Sequence, residues 1–393
     1  MIPERIGRLL EAQERFDARR ARAARLGPRL VDLSYANFDG PLDPAVRGVL
    51  QDALASERSL ALQYTPFGGS RLARRAVADR LAGDTGLSFS WRDVVLTSGA
   101  AAALTLALRA VGEPGDQVVV PTPCWIDHPL YVEACGKTAV LVPLPERTGF
   151  DLDVDALQAT VGPRTTALLL GHPANPTGRV YATAALKHLA DMLTESEERH
   201  GRPVTLIADE THRDLGGPGF SPAAAHCERT LVVYSFGKYH AVQGQRLGYV
   251  AVGPGHPSRD AVADELVRWS RIAGNTTPAA SMQLAVPGLL TLRHDTSSLD
   301  DWRARSVRRL RGSGYEVVSP EGTHFVYVRT PAGRGDDEWA DTLLADHRLL
   351  VMPAPIFHHE GYFRIALTAR PASLEAGLAG LERAALRWCR PSA

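Results

Sequence analysis

The chain has 393 residues, 45% of them hydrophobic, with 44 Lys+Arg against 44 Asp+Glu. That length is enough for two domains, or one large domain with a smaller cap, and the balanced charge excludes the broad basic face that nucleic acid or an anionic membrane would require. Apolar runs such as 100–108 and 166–170 fall well short of a membrane span, and the four cysteines show neither metal-ligand spacing nor a disulfide-dense pattern, so small-molecule work in a reducing cytoplasm is expected.

Residues 1–25 mix arginines with Glu4, Glu11, Glu14 and Asp17 and lack the apolar core of a signal peptide. They read as an amphipathic helix with Ile6, Leu9, Leu10 and Phe16 on its inner side. Two loops follow, Tyr35 to Pro41 around Asn37, and Gln63 to Gly69 around Tyr64. From Asp93 to about Val250 short runs rich in Val, Leu and Ile alternate with longer helical patterns: 94–96, 117–120, 139–142, 167–170, 204–208 and 231–234. Such alternation predicts a mainly parallel sheet covered by helices on both faces, with ligands gathering where strands end.

The chemistry-bearing residues all fall at those ends. In Leu96-Thr97-Ser98-Gly99-Ala100-Ala101-Ala102 a strand stops, a glycine turns and an alanine-rich helix begins, which presents unpaired backbone N–H groups to which an anion could bind. An ordinary strand-to-helix turn would look the same. Trp125 follows the next strand in Pro121 to Trp125, either as a stacking platform or as a core aromatic. His172-Pro173-Ala174-Asn175-Pro176-Thr177-Gly178 closes another strand with turn residues, and Asp209 ends Ile207-Ala208-Asp209 with a carboxylate. Ser235-Phe236-Gly237-Lys238 and Gly244-Gln245-Arg246-Leu247-Gly248-Tyr249 place an amine eight residues before a guanidinium. An amine becomes nucleophilic near neutrality only when burial or a neighbouring cation lowers its pKa, and Arg246 is the candidate cation. Beyond about residue 277 the pattern turns to longer helices with strand-like runs at 314–318, 324–328 and 363–367, the last carrying Arg364 near its start.

These motifs, in this order over about residues 30–375, resemble the cofactor segments of the class I/II aminotransferases among the fold type I pyridoxal-phosphate enzymes. The resemblance implies an α/β fold: a large domain of residues 46–279 around a mainly parallel seven-stranded sheet, and a smaller α+β domain from residues 1–45 and 280–393. It implies pyridoxal 5'-phosphate as cofactor, Lys238 as the amine that holds it as an internal imine, and Gly99, Ala100, Ala101, Ser235 and Arg246 around the phosphate. Trp125 would stack on the pyridine ring, Asp209 would pair with its nitrogen, and Asn175 and His212 would meet the phenolic oxygen. Arg364 and Asn37 would face the substrate, with Arg364 gripping its α-carboxylate. Tyr64 would reach the phosphate of a neighbouring subunit, which implies a homodimer with shared active sites.

Two departures stand out. Relatives carry a tyrosine where this chain has His212, and a glycine-led loop where it has Asn37. The expected reaction is ping-pong transfer of an amino group between an α-amino acid and a keto acid; the alternative is a pyridoxal-phosphate lyase that eliminates at Cβ, or a decarboxylating or oxidising enzyme. His128, His240, Arg213 and the His358-His359 pair are further candidates to line the pocket, with the solvated surface as their alternative.

Overall fold

The computed structural model describes residues 4–58, 61–274 and 277–388. Cys389 and the Asn275-Thr276 pair, where the sequence pattern was expected to change, lie outside them. The amphipathic N-terminal stretch forms α1 (Glu4–Ala24), with Phe16 fully buried. Arg19 on that helix is buried too, and donates to the carboxylates of Asp337 and Asp341. A two-residue strand, β1 (Val31–Asp32), comes next, then α2 (Pro44–Leu54), capped by the Asp43 side chain, and α3 (Arg71–Thr85), capped by Ser70.

The main sheet has seven strands: β2 (Val94–Thr97), β3 (Gln117–Thr122), β4 (Thr138–Pro143), β5 (Thr165–Gly171), β6 (Thr205–Asp209), β7 (Thr230–Ser235) and β8 (Gly248–Val252). Their spatial order is β2-β8-β7-β6-β5-β3-β4, and every pairing is parallel except the two made by β8. Strands β2, β6 and β7 are almost wholly buried, as Val- and Leu-rich strands sandwiched between helices should be. On one face α4 (Ala100–Ala110) packs with Arg259–Ile272; on the other, α2 and α3 pack with Ala280–Thr291. The lone antiparallel strand, β8, lets β2 and β7 run the same way on either side of it, so Thr97 and Ser235 both pair with Gly248 and their following loops emerge together.

A second sheet orders β12 (Met352–Pro353), β13 (Tyr362–Ala366), β10 (Phe325–Arg329) and β9 (Val317–Val318), all antiparallel. The strand-like run at 314–318 survives only in its last two residues, because Gly314 adopts φ +91° and turns the chain. Strand β11 (Leu349–Leu350) pairs in parallel with β1, which ties the N-terminal segment to this second layer. No helix among the described residues is long and apolar enough to cross a membrane.

Candidate active site

Five loops leave the C-terminal ends of β2, β3, β5, β6 and β7 on one side of the main sheet, where ligands of such sheets gather. They enclose a cavity of about 260 Å³ lined by Ala100, Ala101, Trp125, Asn175, Asp209, His212, Ser235, Lys238 and Arg246. Gly99 is not part of the lining but precedes Ala100 as the N-cap of α4 and lies against Arg246. Three expected residues stand apart: Arg364 lies behind Asn175, while Asn37 is exposed on its loop and Tyr64 is fully exposed.

One end of the cavity is built for an anion. Helix α4 follows Gly99 (φ +82°), whose own N–H donates to Thr97 O at 2.8 Å; with no side-chain cap, the N–H groups of Ala100 and Ala101 are left for a ligand. Arg246 reaches over this start from a left-handed residue (φ +50°), with Nη1 on Gln243 O at 3.0 Å and Nη2 on Ser98 O at 3.5 Å. A Cβ at residue 99 would stand 2.7 Å from Arg246 Nη2, and one at residue 248 would stand 2.5 Å from Tyr234 O. Both glycines are therefore demanded by close approach, and they let the guanidinium sit beside the helix start.

The opposite wall is a fixed carboxylate. Thr211 donates to Asp209 Oδ1 from its backbone N at 3.1 Å and from Oγ1 at 2.6 Å, while Oδ2 lies 3.0 Å from His128 Nε2. A carboxylate only accepts, so His128 carries its proton on Nε2. Burial alone would raise the Asp209 pKa; the hydrogen bonds from His128 and Thr211 outweigh it and hold the group below its ordinary value. His128 is 1% exposed, so the surface alternative does not hold for it. It sits on α5 (His128–Ala134), the first helix after the Trp125 loop, and its role could have been suspected from that place alone.

Lys238 lines the same cavity from the short helix Phe236–Tyr239, which Ser235 caps by accepting from Gly237 N at 3.2 Å. Its pKa falls from 10.5 to about 8, chiefly by burial, then by Arg364, with Arg246 adding less; Asp209 opposes. The expected cation, Arg246, is thus the weaker of the two. Arg364, in the middle of β13, is 1% exposed, donates from Nη1 to Asn175 Oδ1 at 2.8 Å and from Nη2 to Ser34 O at 2.6 Å, and leaves Nε without a partner. Phe325 and Phe357 cover its faces at 3.9 and 4.8 Å. Burial pushes its pKa down to about 9. Among the described residues no carboxylate pairs with it; its polar partners are Asn175, the Ser34 carbonyl and the Met352 sulfur.

A family model for the class I and II aminotransferases matches residues 28–381. This chain belongs to that family. It is 28% identical over 374 residues to a probable aspartate/prephenate aminotransferase of Thermus aquaticus, covering 92% of this chain and 93% of the relative. Among solved structures it resembles the aspartate aminotransferase of Thermus thermophilus with maleate at TM-score 0.84 and 26% identity, covering 95% and 96% of the two chains. An aminotransferase of Eubacterium rectale, at TM-score 0.89 and 24% identity over 99% of this chain and 100% of that one, shares the fold.

The remaining histidine candidates of this aminotransferase divide by burial. His240 is buried away from the cavity, its Nδ1 2.9 Å from His294 Nε2. His358 Nε2 bonds Ile126 O at 2.9 Å and so braces the Trp125 loop, and Arg213 is buried in ion pairs with Asp84 and Glu210. No sequence motif marked His324, which is 3% exposed; burial first, and then the charge of Lys238, pushes its pKa down to about 3.

Proposed function

We propose that the enzyme binds pyridoxal 5'-phosphate in this cavity and moves the amino group of an α-amino acid to a keto acid in two half-reactions. The observation that carries the reading is a single cavity shared by a depressed-pKa amine, a fixed carboxylate and an uncapped helix start beside an arginine. This donor set fits the cofactor. The Gly99 N–H is already spent on Thr97 O at 2.8 Å, so the N–H groups of Ala100 and Ala101, with Ser235 and Arg246, would hold the phosphate, and Trp125 would cover the ring face. When bound, the cofactor supplies an electron sink for the bond broken at the substrate Cα.

The chain's own residues do the rest. Asp209 keeps a negative charge at the far wall, where a ring nitrogen would stay protonated. Asn175, whose Oδ1 already accepts from Arg364, keeps its Nδ2 free to donate into the cavity. Arg364, fixed by Asn175 and the Ser34 carbonyl, would orient the substrate carboxylate from behind Asn175. Lys238, with a pKa of about 8, moves the proton at the substrate Cα, since a base near the working pH is both available and strong enough.

A second copy of the chain completes the site in this reading. Tyr64 is fully exposed here, and Leu62, Phe67 and Leu72 of the same stretch are exposed with it, as befits a surface that meets a partner. The test is product analysis on purified enzyme with the cofactor, a panel of amino acids and 2-oxoglutarate. Keto acid and glutamate in equal amounts are expected, with parallel lines in a two-substrate kinetic plot. Ammonia and pyruvate released without a keto-acid acceptor would favour elimination instead, the outcome that His212 in place of a tyrosine raises.

A further inference from the structure

His212 lines the cavity and His324 is buried beside it, 5% and 3% exposed. They come from different layers: His212 follows the end of β6, and His324 leads into β10. One guanidinium fastens the two segments. Arg303 donates Nε and Nη2 to Thr323 O at 2.9 and 2.6 Å, and Nη2 also donates to Leu215 O at 3.1 Å. Thr323 is held at φ +68°, a region a β-branched residue seldom enters, and the imidazole that follows lies 6.1 Å from that of His212 at 68° between planes. Phe325 packs edge-on against both rings, at 5.6 and 6.4 Å, and Phe38 covers His324 at 4.9 Å.

Within this apolar frame each ring buries one nitrogen with no hydrogen-bond partner: Nε2 of His212 and Nδ1 of His324. Buried polar atoms are rarely left so, and a neutral imidazole offers one donor and one acceptor, so two adjoining rings can satisfy each other. The ionisable groups acting on the pair are Lys238, Arg364 and Arg303, all cationic, and Asp300 pairs with Arg303. Burial first, and these cations second, hold both imidazoles well below the ordinary histidine pKa, so both are neutral.

We propose that His324 is a positioning residue for His212: its Nδ1–H donates to Nε2 of His212, which fixes the His212 proton on Nδ1 as the donor offered to the cavity. The contact closes when the rings turn about χ2 and approach from 6.1 Å toward the 5.1 Å at which His240 and His294 share a bond. Such control of one histidine by a partner on its other nitrogen is the usual way a tautomer is chosen. The inference rests on the reading of the cavity as a cofactor site that His212 faces.

The test is nitrogen-15 histidine spectroscopy of the purified holoenzyme, together with a pH titration of the cofactor's absorbance band. Wild type is expected to show His212 neutral with its proton on Nδ1 across about pH 6–9. His324→Phe keeps the ring packing but removes the donor; the proton of His212 should redistribute to Nε2, and the absorbance midpoint should move by about half a unit or more. His324→Gln, which retains an N–H, should restore both. A wild-type His212 protonated on Nε2, or nitrogen shifts of His212 unchanged in His324→Phe, would overturn the proposal. Should that variant not fold, the wild-type tautomer decides by itself. The nitrogen shifts report the pair whatever reaction is catalysed, whereas failure to acquire a cofactor band at all would count against the proposed function.

Discussion

Replacing Lys238 with methionine should stabilise the cofactor-free protein while removing its chemistry. The native environment lowers the amine pKa from 10.5 to about 8, first by burial and then by Arg364. Holding the ammonium there below pH 8 therefore works against folding by about 3 kcal/mol, or about 2 after allowing for its access to the solvent-filled cavity. Methionine keeps most of the buried stem, and Lys238 makes no side-chain hydrogen bond among the described residues that the substitution would lose. The sign comes from linkage: the unfolded amine binds its proton up to 10.5, the native one only up to about 8, so wild-type stability rises with pH across that window. The variant should be more stable at pH 7 and the two should converge as pH approaches 10.5. Urea unfolding of both proteins at matched concentration, at neutral pH and at about pH 10, measures the difference; groups common to both cancel. A difference that does not change with pH, or a methionine variant less stable at neutrality, would refute the account of how this lysine is poised.

Arg364→Lys should lower kcat/KM for amino acids roughly 100-fold, because a point charge cannot keep the bonds to Asn175 and Ser34 while receiving a carboxylate; an amine lacking the carboxylate should lose little, and equal losses for both would contradict the role. Gly99→Ala meets φ +82° and Arg246 Nη2 at 2.7 Å, so it should cost about 1 kcal/mol in stability and weaken cofactor affinity about tenfold or more, read by melting and by fluorescence titration. Asp209→Asn removes the charge that His128 and Thr211 hold in place, and single-turnover rates should fall roughly 100-fold or more with little change in folding; an unchanged rate would dismiss the carboxylate as a catalytic element.

Much of the arrangement was readable before any tertiary contact was known. The Val- and Leu-rich runs that became β2, β3, β5, β6 and β7 each end in a short polar or glycine-bearing segment, and Gly99, Trp125, Asn175, Asp209 and Lys238 occupy those ends. Periodicity marks where a strand stops, and turn chemistry marks the loop after it, because both are set by neighbours in the chain. The family signature added the order in which they must occur.

Partnerships across the chain were beyond that reach. His128 finds Asp209 across 81 residues, Arg364 finds Asn175 across 189, and His324 reaches His212 only because Arg303 binds the carbonyls of Leu215 and Thr323 together. Nor could spacing rank the cations around Lys238: Arg246, eight residues away in sequence, acts on it less than Arg364, which arrives from the second sheet. The sequence by itself determined which chemical groups stand at the ends of which strands, since that depends on local pattern. Only the tertiary structure decided their protonation and orientation, since burial and through-space charge depend on segments that the parallel crossovers bring together from distant parts of the chain.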